Sequence, residues 1–406
     1  MPASPPSPTA TLATRRARTG PPLASGAGAL LVLGFVLMSL NTRVAFGQIG
    51  PLAPVAGFSP AAVSVLGLLP PLCMGAFAPL AAVLRRRLGE ERGLWWAGLL
   101  LVAGTVLRML GMPGLYAGTV VVSAATAVVN VLIPVLVRKR FPRERVGAMM
   151  GLYALSMGVG SALIAALVVP VAQATGSWRP AIGLAVIPAV LAAAGMTPQL
   201  RHRPPQPAAT TGTERTDRPH VARTAVAWSL TAFFGVQTFA FYTALAWLPS
   251  ILVQAGLTRG TAGTGQTLLI LGIAAGGFIA PILAAKRADQ RPHIIATILV
   301  CATGLTGLTS APAGTAMLWV AVLGFGLGAG QALPGVLYAH RGTDPDHMTA
   351  LSTMAQSYGF LLAATGPALA AALHAATGTW TAPLTVVTAT LLVCAIAGLR
   401  AGHDRD

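Results

Sequence analysis

GAFAPLAA at 75–82 and GFIAPILAA at 277–285 are the stretches on which the reading of this chain turns. Gly75 and Gly277 stand 202 residues apart, and so do Pro79 and Pro281. Working outward, ATGSW (174–178) pairs with ATGTW (376–380) at the same offset, and AGFSPAA (56–62) with AGLTRGTA (255–262) at 199. Three ordered matches at nearly half the chain length mark an internal duplication into two large, similar units.

Each unit is a series of apolar runs. With 54% hydrophobic and 9% charged residues and a mean hydropathy of +0.71, this is not the composition of a soluble domain. A hydrocarbon core ~30 Å thick needs ~20 apolar residues per helix. Such segments fall at 28–50, 61–84, 94–111, 115–137, 148–172 and 180–198, and again at 225–247, 263–285, 294–311, 315–339, 350–374 and 382–399. Alternation of period two is absent from them, which sets aside a closed barrel, the other structure that satisfies a spanning backbone. The expected fold is an all-α integral membrane protein with twelve transmembrane helices in two six-helix pseudo-repeats. An even number of crossings per unit makes the repeats parallel, with a solute site between them near mid-membrane. The expected divisions are a disordered N-terminus (1–27), a first bundle (28–198), a polar linker (199–224), a second bundle (225–399) and a short tail (400–406). Basic residues precede the first apolar run as in a signal peptide. The run continues for a full span with no A-x-A-like site after it, so it reads as an uncleaved first helix.

Charge orients this plan. Of the 27 Lys and Arg, 23 cluster in loops on one side, and all ten acidic residues share that side. Cytoplasmic loops carry such a basic excess. Both termini are therefore expected in the cytoplasm, with the chain crossing an inner or plasma membrane. The net charge of +17 follows from this topology. It forms no aromatic-interleaved basic surface, so the lipid bilayer and a small solute are the expected partners and nucleic acid is not. HExxH, GxSxG, paired intramembrane carboxylates and Cys/His spacings are all missing, which speaks against an enzyme and leaves no cofactor or metal to expect. Asp344, Asp346 and His347 (DPDH) read as a helix cap or solvated turn. Cys73, Cys301 and Cys394 read as packing residues within apolar runs. GFGLGAG (324–330) lies inside a span with no strand before it, so its GxxxG pairs, like Gly147/Gly151 and Gly272/Gly276, read as close helix packing.

Four basic residues stand outside the clusters: Arg43, Arg108, Arg179 and Arg259. A charge in hydrocarbon costs at least ~2.5 kcal/mol, so it faces a cavity or a partner. Arg43 lies inside the first span and Arg108 near the far end of the third, with no carboxylate at that depth to neutralise either. Two readings stand for each: an anion-binding charge in a water-filled cavity, or a side chain that snorkels or bonds helix-end carbonyls. On an ideal helix Asn41 and Gln48 share a face, whereas Asn41 and Arg43 lie about 200° apart. Gly47, Gly50 and Pro51 are candidates to break the helix and bring Arg43 round. By the 199 offset Arg43 corresponds to Tyr242, which shares the seventh span with Gln237 and Trp247. Asn130, Tyr153, Gln331, Gln356 and Tyr358 stand in equivalent helices of the two units. Each is either an interhelical hydrogen bond or a solute contact. His374, at the far end of the eleventh span, reads as an interfacial residue and is the one titratable group near that side.

With LNTRVAFGQIGPL (40–52), NVLIPVLVRKRFP (130–142), GVQTFAFYTALAWLPSILVQAGLT (235–258) and LSTMAQSYGFLLAATGPALAAAL (351–373), the chain resembles the cyanate permease/2-nitroimidazole transporter family of the major facilitator superfamily. The likeness runs from about residue 30 to 399. Asn41 and Arg43 match the family's Asn-Leu-Arg segment, with Thr42 in the middle place, and Gln237, Tyr242 and Trp247 match its seventh-helix pattern. The superfamily loop signature Gly-x-x-x-Asp-Arg-x-Gly-Arg-Arg is altered. In LRRRLGEER (84–92) Arg86 stands in the Asp place and Glu90 and Glu91 in the places of the basic pair. The resemblance implies a transporter but no one substrate, since members are associated with small anions such as cyanate and with small neutral drugs. With Arg43, the expected protein is a secondary active transporter that works as a monomer and moves a small, anionic organic solute by alternating access. An exporter of small neutral heteroaromatic drugs and a transport-inactive membrane sensor are the rival readings.

Overall fold

The computed structural model describes residues 26–201, 221–287, 289–310 and 313–402. The terminal segment 1–25, most of the expected linker (202–220) and the last residues (403–406) lie outside them. The first unit comprises α1 (Gly26–Asn41), α2 (Val44–Gly47), α3 (Ile49–Ala56), α4 (Pro60–Leu88), α5 (Glu90–Leu107), α6 (Gly111–Arg140), α7 (Arg143–Thr175), α8 (Trp178–Gly183) and α9 (Val186–Met196). The second comprises α10 (Ala225–Gln254), α11 (Arg259–Ala284), α12 (Arg291–Ser310), α13 (Ala316–Arg341), α14 (Pro345–Thr377) and α15 (Thr381–Gly402). With α1–α3 as one broken span and α8–α9 as another, these helices make the twelve crossings in two parallel sets of six. Among the described residues nine spans are long and apolar enough to cross, with α8–α9 counted as one. The third span falls short because Glu90, Glu91 and Arg92 charge its first turn, and the first because the break after Asn41 shortens it.

Two of the three repeated sequences prove to be helix punctuation, and the third, GAFAPLAA/GFIAPILAA, lies within α4 and at the end of α11. Gly57 and Gly256 take positive φ (67° and 93°), which side-chain-bearing residues avoid, and end a helix. Two residues on, Ser59 and Thr258 cap the next helix by accepting the backbone N–H of Ala62 and Thr261, each at 3.2 Å. Gly176 and Gly378 repeat the device at the ends of α7 and α14. Asp344 caps α14 through the N–H of His347 at 2.8 Å, the capping reading of DPDH.

Two expected single helices are broken. The run at 28–50 divides at Thr42–Arg43, where the Thr42 hydroxyl and N–H both turn back to the Ser39 carbonyl. The run at 180–198 divides at Leu184–Ala185, because Pro188 has no N–H to offer the Leu184 carbonyl.

The units pack together along α4 on α14 and α7 on α11. Gly147 and Gly151 allow the second seam: a Cβ there would lie 2.5 Å from the Pro281 carbonyl oxygen and 2.6 Å from that of Phe278. At the basic-loop end the altered signature loop is fully used. Glu90 and Glu91, both buried, take Arg85 (3.3 Å), Lys139 (2.7 Å) and Arg140 (3.0 Å), joining the ends of α4, α5 and α6. Arg85 also pairs with Asp346 of α14, across the two units.

Candidate solute-binding site

The break between α1 and α2 leaves Arg43 as the N-cap of α2, and its guanidinium carbon lies 4.8 Å from the ring centroid of Phe241 on α10. This cation–π contact crosses from one unit to the other. Arg43 borders a small cavity of about 60 Å³. From the first unit Asn130, Pro134, Tyr153 and Met157 complete its wall. The second unit supplies Phe234, Gln331 and Pro334, with Gly335, Tyr338, Gln356 and Phe360. Among the described residues no Asp or Glu lines it, so the Arg43 charge meets no carboxylate there.

A polar net spans this wall. The Tyr153 hydroxyl donates to Asn130 Oδ1 at 2.5 Å, and Gln356 Nε2 donates across the units to the Asn130 carbonyl at 3.2 Å and to Ser352 Oγ at 2.9 Å. Gln331 Nε2 donates to Thr238 Oγ1 at 3.1 Å. Two buried atoms on the wall are left over, Gln356 Oε1 and the Tyr338 hydroxyl.

The structure thus gathers Arg43, Asn130, Tyr153, Gln331 and Gln356 at one cavity. It places the other seven candidates elsewhere. Tyr242 packs edge-on against Phe241 (5.4 Å between centroids), one ring removed from Arg43. Asn41 is buried with Nδ2 unpartnered but does not border the cavity. Arg108 is fully buried and donates to Gln48 Oε1 and the Ala45 carbonyl, both at 2.8 Å, the carbonyl-bonded arrangement of the two expected. Gln48 Nε2 passes the link on to the carbonyls of Ala181 (3.1 Å) and Ile182 (2.9 Å). Gln237 is fully buried against Gly330 and Cys301. Trp247 donates to the Pro367 carbonyl at 2.9 Å and borders a separate pocket of about 520 Å³, with Trp380 and His374, at the end away from the basic loops. Tyr358 is 54% exposed on the outer surface of the bundle, beside Trp228.

Residues the sequence reading passes over are Tyr338, Phe241, Met157, Phe234, Phe360 and the proline pair. The prolines left a signal. IPVL at 133–136 and LPGV at 333–336 set Pro134 and Pro334 200 residues apart, a further repeat match with both members on the cavity wall.

Comparison with known proteins agrees with this architecture. The family model of the Major Facilitator Superfamily matches residues 31–367. A 2-nitroimidazole transporter of Escherichia coli (strain K12) is 36% identical over 93% of this chain and 96% of its own length. The cyanate transport protein CynX of the same organism is 26% identical over 86% of this chain and 91% of its own. Among solved structures, the proton:xylose symporter XylE superposes with a TM-score of 0.69 at 14% identity, covering 91% of this chain and 94% of that one. At that identity the likeness speaks for the fold alone.

Proposed function

The chain belongs to the major facilitator superfamily, and from that premise we propose that this transporter carries a small organic anion by alternating access, with Arg43 as the charge that binds it. The observation that supports this most is a guanidinium on the wall of a cavity between the two units, with no carboxylate lining it among the described residues. An aromatic face shelters it when no anion is present. Arginine keeps its charge in proteins and offers a planar fork to a carboxylate. The orientation belongs to the same reading: the basic loops, and with them both termini, lie in the cytoplasm of a cell whose plasma membrane holds the protein as a monomer.

A second reading rests on the relative named a 2-nitroimidazole transporter and on Phe234, Phe241 and Phe360 near the site: export of a small neutral heteroaromatic. Counterflow in proteoliposomes tests both. Under the anion reading, Arg43→Ala abolishes counterflow while the protein still inserts and stays monodisperse. Arg43→Lys recovers only part, since it keeps the charge and loses the fork. Full exchange by a well-inserted Arg43→Ala protein would leave the neutral-solute reading standing instead.

A further inference from the structure

The cavity wall contains more than Arg43, and its unsatisfied groups describe the molecule that would satisfy them. Buried polar groups are almost always hydrogen-bonded, and one left without a partner costs about 1–3 kcal/mol. Gln356 is 4% exposed and lines the cavity, yet its Oε1 has no partner in the protein. Its orientation is set by chemistry: the neighbour at 3.2 Å is the Asn130 carbonyl, which only accepts, so the amide nitrogen must face it. The oxygen left over is an acceptor and requires a donor. Tyr338, 2% exposed on the same wall, has a hydroxyl with no protein partner. It can donate to an anion, as Arg43 does. Asn130 Oδ1 already accepts from Tyr153, and Gln331 Nε2 already donates to Thr238. Beside the Arg43 donors, the buried wall atoms without a protein partner among the described residues are therefore the Tyr338 hydroxyl and one acceptor, Gln356 Oε1.

We infer, resting on the reading of Arg43 as the anion's partner, that the solute is a small anion that itself carries an O–H or N–H donor, such as a hydroxy acid or an amide-bearing acid, with Tyr338 and Gln356 as its further ligands. A fully aprotic anion satisfies Arg43 and Tyr338 but leaves Gln356 Oε1 buried and unpaired. Sites built to hydrogen-bond a solute discriminate sharply against analogues that lack the group. The cavity volume keeps the solute small.

The test uses the purified full chain in lipid nanodiscs and three matched probes: acetate, glycolate and glycolamide. Affinities come from the dependence of the thermal midpoint on probe concentration. Glycolate, which adds a hydroxyl donor to acetate, is expected to bind about tenfold tighter, and neutral glycolamide about tenfold weaker than glycolate. In Gln356→Leu the preference for glycolate over acetate falls to about one, whereas a merely structural defect weakens both acids alike and preserves the ratio. Tyr338→Phe weakens both acids and keeps the preference. Equal affinity for the two acids in the wild type, or no shift from either, overturns the donor requirement, and this needs no variant to fold. If that equality comes with loss of both acids in Arg43→Ala, the anion reading survives alone. If glycolamide instead matches glycolate and Arg43→Ala binds both unchanged, the anion reading itself has failed.

Discussion

Arg108 is a full positive charge in the apolar part of the first unit, held without an acidic partner. Its compensation comes from dipoles. The Ala45 carbonyl lies in the one-turn helix α2, and Gln48 relays to the carbonyls of Ala181 and Ile182 at the end of α8. Carbonyls at helix ends carry partial negative charge, so breaks in two spans become the cage for one cation. Gly118 makes the room, since a Cβ there would sit 2.6 Å from Arg108 Cγ. The same link fixes the segment that starts with Arg43. Arg108→Met is therefore expected to lower transport by one to two orders of magnitude, the equivalent of a charged hydrogen bond worth about 1.5–3 kcal/mol. Gln48→Leu should do the same, and the double variant should be little worse than either alone. Additive losses in counterflow rate would show that Arg108 and Gln48 act separately.

At the scale of elements, the ends of α4, α5 and α6 are held by the cluster around Glu90 and Glu91. Glu90 lies in the first turn of α5, ahead of the apolar stretch. Burial pushes its carboxyl upward, but the hydrogen bond and charge of Lys139, its own backbone N–H and the charge of Arg85 outweigh this and hold it below the ordinary value of 4.5. A folded-state value below the unfolded one stabilises the protein above about pH 4.5. That contribution is lost as pH falls through the depressed folded value. The thermal midpoint should accordingly drop on acidification below pH 4.5. Glu90→Ala should start lower at neutral pH, by on the order of 3 kcal/mol, and respond less to acid. A variant with the wild-type acid response would place the titration elsewhere. This scale also shows what was legible beforehand. The repeats could be read because glycine at a positive φ and a hydroxyl cap leave few substitutes, so AGFS and AGLT kept their chemistry. The break at Thr42–Arg43 could not be placed, because its local signal, a Thr hydroxyl bonded to the carbonyl three residues back, recurs at Thr365 within unbroken α14. Tyr338 and Tyr358 looked alike, as single polar residues in apolar runs. Only the packing of α13 and α14 puts one on the cavity wall and the other on the outer surface.

For the whole molecule, the distribution of acid groups limits how transport is driven. The described acidic residues, Glu90, Glu91, Glu144, Asp289, Asp344 and Asp346, all lie in first turns or loops at the basic-loop end. A carboxylate relay along the cavity is therefore missing among the described residues. Bringing a monovalent anion inward against the membrane potential costs ~2.3 kcal/mol per 100 mV. Exchange for another anion, or a proton carried on the solute itself, is the expected coupling. Liposomes with imposed pH and potential gradients check this. Replacing each of the six acids and His374 in turn should leave pH-driven accumulation in place, and its loss in a single acidic variant that still performs counterflow would refute the expectation.

The contact between Arg43 and Phe241 bears on the unloaded half of such a cycle. A carrier that binds an anion must bring its own cation back when nothing is attached, and an unsheltered guanidinium at that depth would stall. Under the proposed anion reading, the ring on the opposite unit, 4.8 Å from the guanidinium carbon, would be a resting place for the charge, given up when the anion binds and taken again on release. Net one-way flux then depends on an aromatic side chain that need never touch the cargo. With Phe241→Leu, zero-trans efflux should slow several-fold while exchange between loaded liposomes holds its rate, turning a carrier capable of empty return into an obligatory swapper.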